Sequence, residues 1–197
     1  MNESNSSAHV SPKILISNDV PQGFQLLAAA HAAMAWELKY GTLSEYKTED
    51  FDFVSPAEFE NVKKDGETLT ITESALDGKE VALVHSAETS VSQAAPKQIT
   101  LEVLLRMYVV VRDSIPAGEL FAPIANGVVS CYRQFIDDPD MKNWVSGSFA
   151  KVIVKANEKE FEKAKKAGDF TAIGGGVLVF KPRPEWDKVF RFMKLYK

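Results

Sequence analysis

The sequence predicts an α/β protein of two similar β-α-β-α-β-β units, each a small mixed sheet flanked by helices. The main support is an internal repeat. Residues 14–23, from Ile14 through Asn18, Pro21 and Gly23, are echoed 95 positions later by Val109 through Asp113, Pro116 and Gly118. Residues 58–66 match 160–168 at an offset of 102, and residues 81–84 match 177–180 at an offset of 96. Three matches in one order imply a duplicated fold with small insertions, and fixed-period self-similarity decides architecture before any motif does. A second support is the alternation of β-branched runs with helical patterns, which argues for a mixed, mostly parallel sheet.

Each element has a local reason. The run 13–17 is β-branched and reads as a strand; Pro21 and Gly23 punctuate it, and a helix follows over 24–40, ended by Gly41. Its alanines at 28, 29, 30, 32, 33 and 35 let it lie close to a sheet. A short strand at 51–54 leads to Ser55-Pro56, an N-cap and first-turn pair, and the helix stops near Gly66. Two strands, 68–72 and 80–85, turn at Asp77-Gly78. The second unit repeats this with a strand at 107–112, a helix at 118–135 and a polar, helix-ending turn at 137–140. A strand at 151–155, a helix at 158–167 capped by Asn157, a strand at 177–180 and a terminal helix at 185–195 follow. Between 158–167 and 177–180 the pattern leaves the third strand undecided. Residues 1–11 and 87–100 have the composition of disordered and linker segments, so the units are expected at 12–86 and 101–197.

Composition narrows the function. With 45% apolar and 25% charged residues the chain is an ordinary globular protein, and no apolar run approaches the roughly 20 residues that span a bilayer. Residues 1–10 lack a signal-peptide pattern, and one cysteine, Cys131, allows no internal disulfide, so the cytoplasm is the expected compartment and no membrane partner is expected. Charge divides unevenly: 7 Lys and Arg against 15 Asp and Glu in residues 1–100, and 16 against 12 in residues 101–197. Opposite signs favour docking of the two units, and any RNA phosphate would meet the basic second half. No Cys/His metal set, serine nucleophile elbow or alternating-oxygen Ca²⁺ loop occurs, and no cofactor is expected. Gly174-Gly175-Gly176 feeds a strand and not a helix, so it reads as a tight turn.

Through Arg112-Asp113, the Pro116-Ala117-Gly118 turn, Trp144 with the run 145–154, and the ending 186–197, the second unit resembles the type II peptidyl-tRNA hydrolase family. The first unit is similar to the same family at 23–34, around Ala29-Ala30-His31-Ala32-Ala33. Together the similarity covers about 170 residues. It implies cleavage of the ester joining a peptide to the tRNA ribose, with functional groups at the start of the first helix and in the loop between the last two strands. The family's lysine position is Phe24 in one unit and Glu119 in the other; its helix glutamine is Ala28 and Pro123; its histidine is His31 and Asn126. The acidic-loop position falls on Glu73, and the second unit has Ile173 and three glycines there.

The candidate catalytic residues are therefore His31, Glu73 and Thr72, an acid–base pair with a threonine to position water. Ser74, Lys79, Arg183 and Arg191 are candidate substrate contacts, the arginines for phosphate. A histidine amid alanines is more often a packed or cap-bonded helix residue, and the 72–74 group more often a solvated hairpin loop. Two functions stay open: a divergent hydrolase, or a non-catalytic binding module made by fusing a dimer into one chain. The second requires that the halves share a contact face while the linker crosses the surface.

Overall fold

The computed structural model describes residues 12–41, 45–65, 68–73, 79–85 and 105–197. The segments expected to be disordered or linker, 1–11 and 87–100, lie outside the described residues, as does Ser74. The first half runs β1 (Lys13–Ser17), α1 (Gln22–Tyr40), β2 (Phe51–Val54), α2 (Pro56–Asp65), β3 (Thr68–Glu73) and β4 (Lys79–His85). The second runs β5 (Arg106–Arg112), α3 (Phe121–Gln134), α4 (Pro139–Ser146), β6 (Ala150–Ala156), α5 (Glu158–Lys165), β7 (Phe170–Ile173), β8 (Val177–Phe180), α6 (Trp186–Val189) and β9 (Lys194–Leu195). The chain is thus α/β, with two small mixed sheets flanked by helices.

Strand order is the same in both sheets. The first is β2-β1-β4-β3; the second contains β6-β5-β8-β7, with β9 added outside β6. Senses agree as well, since β1 is parallel to β2 and antiparallel to β4, and β5 is parallel to β6 and antiparallel to β8. Ile14 lies between Phe51 and Val84, and Val109 lies between Ile153 and Val179. The sheet register therefore fixes the last offset at 95, one less than the sequence match at 81–84 suggests. Because strand side chains alternate faces, that single step decides which residues share a face.

The alanines of α1 serve two surfaces. Ala28, Ala29, Ala30, Ala32 and Ala33 are fully enclosed, with α1 against β1 and β4 on one side and against α3 on the other. Ile14, Met34 and Trp36 of the first half join Ile124, Val128 and Trp144 of the second in one apolar core. A smaller core of Tyr108, Val110, Phe161, Phe180, Trp186 and Phe190 fills the outer face of the second sheet. β5 is buried on both faces, which explains its unbroken apolar run from Met107 to Val111.

Several expected elements are corrected. The helix expected at 118–135 is a 3-10 turn, Ala117–Glu119, followed by α3, with Pro123 in its first turn, where no intrahelical donor is missed. The acidic turn at 137–140 starts α4 as well: Asp138 accepts from the N–H groups of Asp140 (2.9 Å) and Met141 (3.4 Å), and Pro139 takes the first position. Trp144 accordingly lies inside a helix. β7 supplies the undecided third strand. The long terminal helix reduces to α6, four residues, before the chain returns as β9 beside β6. Two other readings hold: Asn157 and Glu160 form a capping box on α5, and Gly174 and Gly175 turn with φ of 55° and 70°.

Candidate functional site at the junction of the halves

The two halves meet through equivalent residues. Asn126, on α3, bonds the backbone of Tyr46 at both ends of its amide: Tyr46 N–H donates to Oδ1 at 2.7 Å, and Nδ2 donates to Tyr46 O at 2.8 Å. Its counterpart at the 95-residue offset, His31 on α1, hydrogen-bonds the backbone of Phe149 and stacks on that ring at 5.7 Å and 19°. Tyr46 and Phe149 occupy corresponding segments, each leading into the second strand of its sheet. Residue i contacting j′ while i′ contacts j is the pattern of a two-fold dimer interface, here inside one chain. Between the two ends, Arg133 donates from Nε and Nη2 to the two carboxylate oxygens of Glu37, at 2.7 and 2.6 Å.

The His31 end holds the more unusual chemistry. Phe149 has φ of 49°, a left-handed conformation that costs a non-glycine residue on the order of 1–2 kcal/mol. Three bonds fix it there. Phe149 N–H donates to Trp144 O at 2.9 Å, the Trp144 indole donates to Ala150 O at 2.8 Å, and the Ser148 hydroxyl donates to Leu105 O. The turn brings the Phe149 ring between Trp144 (4.8 Å) and His31. Lys151, two residues on, follows the strand alternation onto the same face as Ile153 and is 6% exposed. Its Nζ lies 3.3 Å from Phe149 O, 3.5 Å from the Phe149 ring centre and 4.7 Å from that of Trp144. No carboxylate pairs with it among the described residues. Lys181, equally buried, is by contrast paired with Asp138 and lies 3.9 Å from Asp169.

Burial sets the protonation of this group. Desolvation, and then the charge of Lys151, hold the His31 pKa well below 6.5, with the Phe149 backbone bond opposing. Desolvation likewise brings Lys151 well below 10.5. His31 Nε2 is enclosed and has no hydrogen-bond partner among the described residues. A neutral imidazole with an unoccupied nitrogen can accept a hydrogen bond from a group placed against it. Tyr46 Oη is enclosed in the same way, and burial, then Glu37 and Asp50, raise its pKa above 10.

The other expected residues lie elsewhere. Glu73 stands opposite Lys79, and Thr72 opposite Glu80, at the β1 carboxyl end of the first sheet, where α1 begins; their side chains lie outside the described residues. His31 is nine residues beyond Gln22, about 14 Å along the helix axis. The backbone therefore sets His31 and Glu73 at different levels of the sheet. Arg183 pairs with Asp169 and lies over Trp186, and Arg191 lies over Phe192, both away from His31. In the second half the corresponding strand end is filled: Arg112 donates to Gly175 O (2.9 Å), pairs with Glu158 and Glu162, and covers Phe161 at 4.2 Å.

Sequence reasoning missed Trp144, Phe149 and Lys151 as a group with His31. Strand parity with Ile153 was the available signal for Lys151, since it places a lysine on a core face. Among the described residues no three His, Cys, Asp or Glu gather as a metal site, and no helix is long and apolar enough to cross a membrane. No protein-family model, curated protein or solved structure matches the chain.

Proposed function

We propose that the chain is a non-catalytic binding module, a pair of peptidyl-tRNA hydrolase-like units fused into an internal pseudo-dimer. The observation that carries this reading is the reciprocal docking of His31 on Phe149 and Asn126 on Tyr46. The histidine that the family resemblance marks as functional is engaged at the junction as its partner asparagine is, about 14 Å along α1 from the end where Glu73 stands. Phe24 and Glu119 at the family's lysine position agree with lost hydrolysis, because neither supplies a positive charge to an oxyanion or phosphate.

The test is an assay of the purified chain with a peptidyl-tRNA, beside His31→Ala and Glu73→Gln. The expected result is no turnover above background in any of the three. Turnover that both substitutions diminish would overturn the reading. That outcome would favour a second one, residual ester hydrolysis in the first unit with tRNA held by the basic second half. The neutral His31 Nε2, without a hydrogen-bond partner among the described residues, is the observation that supports it.

A further inference from the structure

The last ten residues repeat a unit of three. Lys188-Val189-Phe190, Arg191-Phe192-Met193 and Lys194-Leu195-Tyr196 each place a cation, then an apolar residue, then an anchor, and Lys197 follows. The structure obeys this rhythm. In every triplet the first two residues are exposed and the third turns inward. Phe190 packs on Phe180 at 4.8 Å and Tyr108 at 5.2 Å, while Tyr196 N–H donates to Ile153 O at 2.9 Å and Lys155 covers its ring at 3.9 Å. A period of three fits neither a helix nor a strand, which is why the segment is a short turn of helix, a bend and a two-residue edge strand.

What faces outward is a succession of basic–apolar pairs along the chain. Val189, Phe192 and Leu195 are 47%, 78% and 60% exposed, three of the six large apolar side chains exposed among the described residues. Four cations accompany them, and no acid occurs from Lys188 to Lys197. The preceding acid, Asp187, is committed to Arg106 and to the Tyr108 hydroxyl at 2.8 Å.

We propose that the 188–197 segment is a docking surface for an anionic lipid bilayer, with Val189, Phe192 and Leu195 dipping between headgroups while Lys188, Arg191, Lys194 and Lys197 meet lipid phosphates. Long basic side chains bury their stems and keep their heads at the phosphate level, so each pair fits a boundary that is apolar below and anionic above. Negative charge is selected by four cations with no intervening acid. A nucleic-acid strand shares that charge but gains chiefly from aromatic faces on which bases stack, and two of the three exposed apolar residues here are aliphatic. Surface docking needs no spanning helix, so an expectation of no membrane contact based on missing spans does not bear on it. This inference rests on the binding-module reading and names its partner.

The experiment is co-sedimentation of the full chain with vesicles of phosphatidylcholine alone and of phosphatidylcholine with phosphatidylserine, at physiological ionic strength. The chain is expected to pellet with the serine-containing vesicles and to stay in solution with the neutral ones. Arg191→Gln and Lys194→Gln should each weaken binding about fivefold. Phe192→Ser should weaken it about tenfold. Unchanged circular dichroism shows that these exposed changes leave the fold intact. Equal binding to both vesicles, binding to neither, or variants that bind like the parent each overturn the proposal. Phe192-dependent capture of a single-stranded RNA oligonucleotide without vesicle binding overturns it too and reassigns the surface to RNA. Peptidyl-tRNA turnover by the same preparation counts against the non-catalytic reading alone, whereas absent vesicle binding without turnover counts against the lipid partner alone.

Discussion

The Asn126 end and the His31 end of the junction occupy corresponding positions of the two halves and differ in chemistry. Asn126 satisfies both of its amide groups on Tyr46 and makes its contact with little left over. His31 makes the equivalent contact and leaves Nε2 enclosed and, among the described residues, unbonded, beside a buried lysine with no carboxylate partner among them and a phenylalanine in a left-handed turn. One end is a finished structural clamp; the other carries the cost of three unfavourable features. Such features persist where the surrounding structure over-determines them, and they concentrate at sites that bind or react. A repeated architecture permits this division, since one half can hold the fold while the other departs.

The largest effect should come from the bridge between the two ends. Arg133→Met leaves Glu37 buried without its cation and should cost about 3–5 kcal/mol, read by urea unfolding. The melting temperature should fall by roughly 10 °C. A cost under about 1 kcal/mol would mean that the halves do not depend on this pair. Next in size, Asn126→Ala strips the Tyr46 backbone of two partners at an enclosed position and should cost about 2–3 kcal/mol. His31→Ala should cost less, because it removes one backbone bond and relieves an unbonded nitrogen; equal costs at the two ends would erase the asymmetry.

Acid should separate the ends further. His31 has a folded-state pKa below its unfolded value, so the unfolded chain takes up the proton first. Stability is then unaffected by His31 above about pH 6.5 and falls as the pH drops below it, by up to about 1.4 kcal/mol per unit. His31→Asn, which copies the other end, should flatten the stability profile between about pH 6.5 and 5. The smallest change is expected at Lys151. Replacing this buried, unpaired amine with methionine should be neutral or should stabilise by about 1 kcal/mol, and it should cancel part of the His31 shift. Strong destabilisation by Lys151→Met would show that the cation–π contacts outweigh burial, and the site would then be purely structural.

Much of the architecture was legible because its signals are local or periodic. The repeat at 14–23 and 109–118 foretold two sheets with one strand order, and Ser55-Pro56 and Asn157 marked helix starts through capping chemistry. The terminal helix was misread because residues 188–196 alternate charge and apolarity closely enough to mimic a helix, and only the inward turn of Phe190, Met193 and Tyr196 reveals a period of three. The site was less legible. His31 was identified, but its partners are 118 and 120 positions away, and no spacing rule links Phe149 or Lys151 to it. A left-handed phenylalanine has no sequence signature at all. The small residues of α1 were read as fitting a sheet, when a second helix from the other half needed the same closeness.

The central claim is that the two halves hold together as a dimer would, through α1 and α3, independently of the chain that joins them. It is tested most directly by placing a specific protease site within 87–100, cleaving it, and following the fragments by size-exclusion chromatography. The fragments should co-elute at the size of the intact 21.8 kDa chain and come apart only when Arg133→Met or Asn126→Ala is added. Fragments that separate as soon as the native-sequence junction is cut would contradict it.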